Sequence, residues 1–471
     1  MRTLVWFRGK DLRLADHAPL RDALKAGDVL PLFVLDPHFF SPARAAEHAH
    51  RLQFLLDALR ELAAAIASRG SRLIVVSGRS VDVLPELARA WRADRVVAHR
   101  WVEPFGRERD RIIGERLERP FDLYEGETLL PPGTLRSGSG RPYAVFGAFA
   151  RAFWKRFEIR RPLPTPRRLP ALPRDVRAEE TPIPTCAALG LAPNVALQEG
   201  GERAGRRRLR RFLRSAAHGY ADARDRMDLA GTSRLSADLK FGTVSVRQVC
   251  FAVTRALGES QAARSYLNEL VWRDFAHSSL WDRPSLLDKP FRAAFADFPW
   301  RRDDAGWLAW ARGHTGYPLV DAAARQLLSE GFVHNRARMI SASFLCKHLM
   351  IDFRRGEAHY LKHLTDGDWA QNTAGWQWSA GCGCDAQPYF RVFNPVAQGK
   401  KHDPEGDYVR RWVPELSRVP TRYVHRPWEA PAVVLERAGV RLGEDYPRPI
   451  VQHAFARARF LETARAHLAR P

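Results

Sequence analysis

Met1-Arg2-Thr3-Leu4-Val5-Trp6-Phe7-Arg8 opens the chain with an apolar run that stops at a charge. The run is too short for a signal peptide and Arg8 follows at once, so Thr3–Phe7 reads as a strand. Further strands are expected at Val29–Leu35, Arg72–Val76, Arg95–His99 and Phe121–Tyr124. Between them lie helical patterns: Ala46–Ser68, where Leu52, Leu55, Leu56, Leu59 and Leu62 recur at three and four residues, then Val81–Trp91 and Arg107–Leu117. Strands alternating with helices imply βαβ units and a doubly wound, five-stranded parallel sheet of Rossmann-like α/β type. Such a sheet takes ligands at the carboxyl ends of its strands. No Gly-x-Gly-x-x-Gly and no Walker A lysine loop follows the first strand, which disfavours an ordinary dinucleotide or ATP site there.

Beyond this part the texture changes. Pro162, Pro164, Pro166, Pro170, Pro173, Pro182, Pro184 and Pro193 crowd a stretch without apolar periodicity, which reads as linker. From about Gly200 the pattern is all-α, with expected helices at Val244–Leu257, Ala262–Ser279, Trp307–Ala311, Leu319–Glu330, His334–Met350 and Ala358–Leu364. The expected organisation is therefore an α/β domain over 1–130, a Pro-rich linker over 131–199 and a helical domain over 200–471. The Arg206–Arg214 run places Leu209, Phe212 and Leu213 on one face and reads as a solvated helix.

The 471 residues are 45% hydrophobic, enough for two or more buried cores. No apolar run approaches the ~20 residues of a membrane span, so a cytoplasmic location without membrane contact is expected. Five cysteines are too few and too scattered for a disulfide framework, and Cys382-Gly383-Cys384 lacks a second ligand pair, so no metal site is expected. The net charge of +22 suits a polyanionic partner, because Arg and Lys contacts to phosphate supply most non-specific nucleic-acid affinity.

Three constellations carry chemistry. Gly231-Thr232-Ser233-Arg234-Leu235-Ser236 puts hydroxyls and an arginine where a helix begins, which suits a pyrophosphate as well as it suits an ordinary N-cap. Asn268–Phe275 sets Glu269, Trp272 and Arg273 near one helical face, fit for a polar heterocycle or for a Glu269–Arg273 ion pair. His334–Met339 puts Asn335 and Met339 four apart on one face, an amide for a ring edge beside a soft apolar contact, or a basic exposed helix. Asp366-Gly367-Asp368, Trp376-Gln377-Trp378 and Pro388–Asn394 follow, and Asp366 is a candidate partner for Arg338. Paired carboxylates, an amide, arginines and clustered indoles so close together suit a flavin held beside a stacked base.

These segments, with Thr315-Gly316-Tyr317-Pro318, occur in the order and spacing of the DNA photolyase/cryptochrome family. Over nearly its whole length the chain resembles the class I cyclobutane pyrimidine dimer photolyases. The resemblance implies an antenna-type α/β domain followed by a helical domain that holds FAD, reduced in the active form. It places FAD contacts at Tyr220, Thr232, Ser233, Arg234, Leu235, Ser236, Tyr266, Arg273, Arg338, Asp366, Gly367, Asp368 and Asn372, with Asn372 facing flavin N5. Glu269, Trp272, Asn335, Met339 and Trp378 fall on dimer-contacting positions, and Arg224, Arg336, Arg391, Gln398 and Lys401 on DNA-contacting ones. Tyr266 stands where close relatives carry Trp.

The family also relays electrons to its flavin through three tryptophans. Trp376 and Trp300 match, but Phe353 stands at the middle position and interrupts the path, with Trp369 as a bypass. The resemblance adds an antenna pigment, 8-hydroxy-5-deazaflavin in preference to methenyltetrahydrofolate or FMN, at Arg51, Glu103 and Lys240. The implied activity is that of a deoxyribodipyrimidine photo-lyase: light-dependent repair of UV-damaged DNA, by a monomer, with the pyrimidine dimer flipped out. A cryptochrome-type photoreceptor without repair activity is the alternative. Repair of (6-4) photoproducts is disfavoured by His334-Asn335 in place of a histidine pair, and a non-catalytic DNA-binding module is the remaining rival.

Overall fold

The computed structural model describes residues 1–469, which fall into two compact units. The first comprises 1–218, 233–284 and 365–368; the second comprises 219–232, 285–364 and 369–471, as far as it is described.

The first unit is built on five parallel strands: β1 Arg2–Phe7, β2 Asp28–Leu35, β3 Ile74–Ser77, β4 Arg95–His99 and β5 Phe121–Tyr124. Their order is β3-β2-β1-β4-β5, with Thr3 beside Val29 and Val5 beside Val97. Alternate residues of a strand face opposite sides of the sheet. Val5, Phe7, Val29, Phe33, Val75 and Val97 pack on one side against Phe54, Leu59, Leu62 and Ile66 of the helix Ala49–Ala67. Leu4, Trp6, Leu30, Leu32, Val76 and Val96 pack on the other against Leu84, Ala88 and Ile113. Both faces are covered, which is why these strands read as unbroken apolar runs.

Strand order reverses between β1 and β4, so the crevice beyond their carboxyl ends is where a doubly wound sheet offers a ligand site. Arg8, Lys10 and Asp11 follow β1, and His99 ends β4 just before Glu103; all five are buried. The Pro-rich stretch also belongs to this unit. Across 131–199 it contains the helix Phe146–Arg156, which the linker expectation did not include, and one helical turn, Ala187–Leu189; its Pro-rich part is pinned by Thr181 N–H to Val75 O and by Trp91 Nε1–H to Arg177 O (2.7 Å). The arginine run forms the helix Glu202–Ser215, with Leu209 and Phe212 buried and Arg208 clamped to Asp238 at 2.7 Å.

The second unit is helical. Its core gathers Trp310, Tyr317, Leu327, Ile340, Phe344, Phe353, Tyr360 and Trp376. The helix expected over His334–Met350 is shorter: Asn335–Ser343 runs into a wide π turn at Phe344–His348, and Met350 adopts a left-handed φ of 56°. Lys347 in that turn is buried and donates Nζ–H to Arg391 O at 3.0 Å.

Candidate cofactor and DNA site

In the first unit, the helix Gln261–Asp282 is N-capped by Ser260, which accepts from Ala263 N–H, and carries most of the candidate residues. Tyr266 is buried and donates its hydroxyl to Ser233 Oγ at 2.9 Å, which ties the 232–236 loop to this helix. Within that loop Arg234 takes a left-handed φ of 52°, a conformation that costs a non-glycine residue about 1 kcal/mol and clusters at ligand sites. Trp272 lies flat on Phe146, ring centroids 3.6 Å apart and 6° from parallel. Arg273 is buried and donates to Glu127 O, so the alternative Glu269–Arg273 ion pair is not where its guanidinium goes; its Nε has no partner. Asp274 accepts from Leu129 and Leu130 N–H (2.9 and 3.0 Å) and fixes that loop; burial raises its pKa to about 6.

The same unit holds a cluster of buried charges. Lys10 contacts Glu103 and Glu127 and lies 3.6 Å from Asp368. His277 donates Nδ1–H to Arg273 O at 2.8 Å and turns Nε2 toward Glu127 (3.3 Å) and Asp368 (3.5 Å). Burial alone would lower its pKa, but Asp368 and Glu127 raise it to about 9. Burial opposes ionisation of Glu127 and Asp368, yet Lys10 and His277 hold both carboxylates below their ordinary range. Arg51 donates to Gly367 O at 3.4 Å. Burial drops the pKa of Arg51 to about 10 and, with Lys10 nearby, that of Lys240 to about 8. The turn bearing Lys240 comes this close because residue 242 is glycine: a Cβ there would lie 1.9 Å from Lys10 O, at a φ of +60°.

The three candidate antenna residues thus share one buried region, and Glu103 Oε2, Arg51 Nε and Trp101 Nε1 there lack partners. Lys10, Glu127 and His277 were not among the residues singled out by sequence. The only signal was positional, since Lys10 and Glu127 follow the carboxyl ends of β1 and β5. Asp11, His17 and His99 form a second buried group with donors a metal could use, but Asp11 already accepts from His99 Nδ1–H (3.0 Å) and Arg8 N–H (2.6 Å).

In the second unit, His334 caps its helix by accepting from Arg336 N–H (3.2 Å), and burial lowers its pKa to about 4. Asn335 Nδ2 lies 3.7 Å from Met339 Sδ, as the four-residue spacing requires. Arg336 pairs with Asp225 at 2.7 Å, and Arg338 donates to Val333 O at 2.7 Å. Tyr220 is buried with the Arg224 guanidinium 5.7 Å from its ring centre. Asn372 donates Nδ2–H to Glu357 O at 3.0 Å, and Thr373 donates to the Glu357 carboxylate. Glu357, another residue that no motif flagged, is buried, which raises its pKa to about 7. Trp376 is 3% exposed and packs over Gly356, where a Cβ would meet its ring at 2.2 Å; Trp378 is half-buried. Asn394 caps the helix Pro395–His402, which carries Gln398 and the exposed Lys401; Arg391 is exposed just upstream. Phe353 lies 6.4 Å from Trp300, and Trp369 is 41% exposed.

A parallel sheet with buried charges beyond its carboxyl ends suits a polar ligand, and a helical unit with an Asn–Met pair and exposed cations suits a polyanion. Residues 3–169 match the DNA photolyase family model, and residues 266–466 match that of the FAD binding domain of DNA photolyase. Among curated relatives, a deoxyribodipyrimidine photo-lyase of Thermus thermophilus is 42% identical over 88% of this chain and 92% of its own. Two solved structures are similar at high coverage. A class III photolyase from Agrobacterium tumefaciens has TM-score 0.93 and 37% identity over 99% of this chain and 98% of its own. A Synechocystis cryptochrome has TM-score 0.90 and 32% identity over 98% and 99%. The chain belongs to the DNA photolyase family.

Proposed function

We propose that the protein is a deoxyribodipyrimidine photo-lyase: it repairs cyclobutane pyrimidine dimers in DNA with light and FAD. The observation that carries this reading is that Glu269, Trp272, Asn335, Met339 and Trp378 all stand where the resemblance places dimer contacts, with Asn335 and Met339 side by side on one helical face. That set favours repair over the cryptochrome alternative, as do relatives at 35–42% identity that carry the photo-lyase name. The residues fit FAD: Arg273 keeps an unpartnered buried Nε, and the 232–236 loop is held in a strained conformation ready for an anion.

Reduced FAD, when bound, supplies an electron donor that light excites. Tyr220, Thr232–Ser236, Tyr266, Arg273, Arg338, Asp366–Asp368 and Asn372 would hold it. Because Asn372 is anchored through Nδ2 to Glu357 O, its amide is oriented before the cofactor arrives. An amide there can hydrogen-bond a protonated ring nitrogen, whereas a second carboxylate would repel a reduced, anionic ring. Photolyases are themselves among the enzymes known to extrude their target nucleotide, and a damaged pair is cheaper to extrude than an intact one. Glu269, in its protonated form, would donate a hydrogen bond to a dimer carbonyl where negative charge develops. Arg224, Arg336, Arg391, Gln398 and Lys401 would hold the flanking backbone. An antenna, 8-hydroxy-5-deazaflavin before a folate or FMN, would sit at Arg51, Glu103 and Lys240; an anionic ligand there would relieve the two half-buried cations. The working division is the antenna domain 1–130, the linker 131–199 and the catalytic domain 200–471, acting as a cytoplasmic monomer. No described helix is long and apolar enough to cross a membrane.

The test is an illuminated assay on a thymine-dimer oligonucleotide with FAD-loaded, chemically reduced protein. Dimer loss in light and none in the dark is the expected result; flavin-replete protein that binds the oligonucleotide without repairing it would return the cryptochrome reading. Glu269→Gln is expected to keep DNA affinity and lower the repair yield per absorbed photon. An unchanged yield would remove Glu269 from that role.

A further inference from the structure

We propose that the hole left on Trp376 when photoexcited flavin takes its electron travels through Trp310 to Trp307, a route that replaces the one interrupted at Phe353. The proposal rests on the FAD reading above, and its test separates the two. Trp376 meets the edge of Trp310 with centroids 5.9 Å apart at 75°. Trp310 and Trp307, three apart on the helix Asp304–Arg312, lie 5.4 Å apart at 32°. Trp310 is 1% exposed and Trp307 half-buried, so the chain of indoles runs from the core toward solvent.

The other exits are worse. Phe353 touches Trp300, but a benzene ring is much harder to oxidise than an indole, and Trp300 Nε1 is buried without an acceptor for its proton. Trp369, the bypass expected from sequence, makes no ring contact among the described residues. Tyr360 touches both Trp376 (5.2 Å) and Trp310 (5.9 Å). No carboxylate or imidazole accepts from its hydroxyl among the described residues, so oxidation there has no base to take the proton.

The electrostatics permit the Trp310–Trp307 step. His359 packs against both indoles at 5.6 and 5.5 Å, and burial keeps it neutral with a pKa lowered to about 3. Arg355 lies 4.3 Å over the Trp307 ring, which opposes a hole there, but Asp304 pairs with it at 2.8 Å and offsets its charge. One electron passes from Trp307 to Trp310 to Trp376 to the flavin. The Trp307 cation then releases its indole proton to water. An external thiol returns one electron and one proton, and two thiols close to one disulfide after two such events.

The experiment is flash transient absorption on holoprotein with oxidised FAD, comparing Trp307→Phe, Trp310→Phe, Trp300→Phe, Trp369→Phe and Trp376→Phe at matched flavin content and melting temperature. The expected result is loss of the long-lived charge-separated signal in the Trp307 and Trp310 variants and its retention in the Trp300 and Trp369 variants. Retention in Trp307→Phe, whose half-buried ring can change without unfolding the core, overturns the route, and so does its loss in Trp300→Phe. A signal that survives Trp376→Phe instead overturns the placement of flavin beside Trp376. In flavin-free protein, near-ultraviolet circular dichroism should show a coupled-indole band that Trp307→Phe and Trp310→Phe each abolish. Its absence from the wild type would mean the two rings are not in contact.

Discussion

Lys10→Met is expected to cost about 3–5 kcal/mol of folding stability, the usual loss when one partner of a buried charge pair is removed. The reason is the company Lys10 keeps. Glu103, Glu127 and Asp368 are all buried and all face its ammonium. Methionine matches the lysine stem in volume but leaves Glu127 and Asp368 with His277 as their remaining ion-pair partner among the described residues, and Glu103 with the field of Lys240. The deficit should therefore depend on pH. Glu127 and Asp368 have folded pKa values below their ordinary 4.5 and 3.8, so their contribution is present above those values and lost on acidification. Without Lys10 they take up protons more readily, and the gap between variant and wild type should shrink toward pH 4. His277 works in the opposite direction. Its pKa is raised from 6.5 to about 9, so its contribution is full below 6.5 and lost as pH rises through about 9. Alkaline titration should then widen the gap, because the variant loses its second cation too. Urea unfolding at several pH values measures all of this, and Lys10→Met/Glu127→Gln should recover part of the loss. A pH-independent deficit would show that Lys10 acts by packing alone.

That cluster also marks the limit of what the residues disclosed in linear form. β4 and β5 begin and end at the residues expected from the sequence, and β1 and β2 differ by one residue at one end. β3 starts at Ile74 rather than Arg72. The constellations around Glu269, Asn335 and Asp366 were legible because each is local: helix periodicity alone puts Asn335 next to Met339. The clustered charges, buried or half-buried, are drawn from positions 10, 51, 103, 127, 240, 277 and 368, so no spacing betrays them and only the sheet topology collects them. The helix Trp369–Ala380 escaped for a related reason. Ala370, Thr373, Trp376, Gln377 and Ala380 share its buried face, but that face carries the polar Thr373 and Gln377 while Trp369 is exposed, so apolar and polar residues do not separate into two stripes. The break after Ser343 carries no Pro or Gly, and Lys347 in the π turn reaches Arg391 O, a contact 44 residues away that no local pattern encodes. The Trp376–Trp310–Trp307 stack was hidden in the same way, although all three indoles are plain in the sequence.

DNA affinity should fall about 40- to 150-fold between 50 and 200 mM salt, a slope of roughly −2.7 to −3.6 in log–log form, because each neutralised phosphate contributes about −0.9. The upper figure counts Arg224, Arg336, Arg391 and Lys401 as four independent phosphate contacts; the lower counts three. The fourth is discounted because Arg336 is held by Asp225 at 2.7 Å, so an anion already satisfies part of its charge. Asp225 is partly buried, and Arg336 holds its carboxyl below the usual range against the pull of desolvation, so the pair persists at neutral pH. Asp225→Asn should therefore tighten binding and steepen the slope by up to about one unit, as a freed guanidinium takes a phosphate in place of the carboxylate. Lys401→Ala and Arg391→Ala, which remove exposed cations with no carboxylate partner among the described residues, should each flatten the slope by about 0.9, and by more than Arg336→Ala does. Fluorescence anisotropy on a dimer-bearing oligonucleotide across this salt range reads every term. If Asp225→Asn weakens binding, Asp225 is orienting Arg336 for the phosphate and not competing with it, and the full slope should be restored by keeping the pair intact.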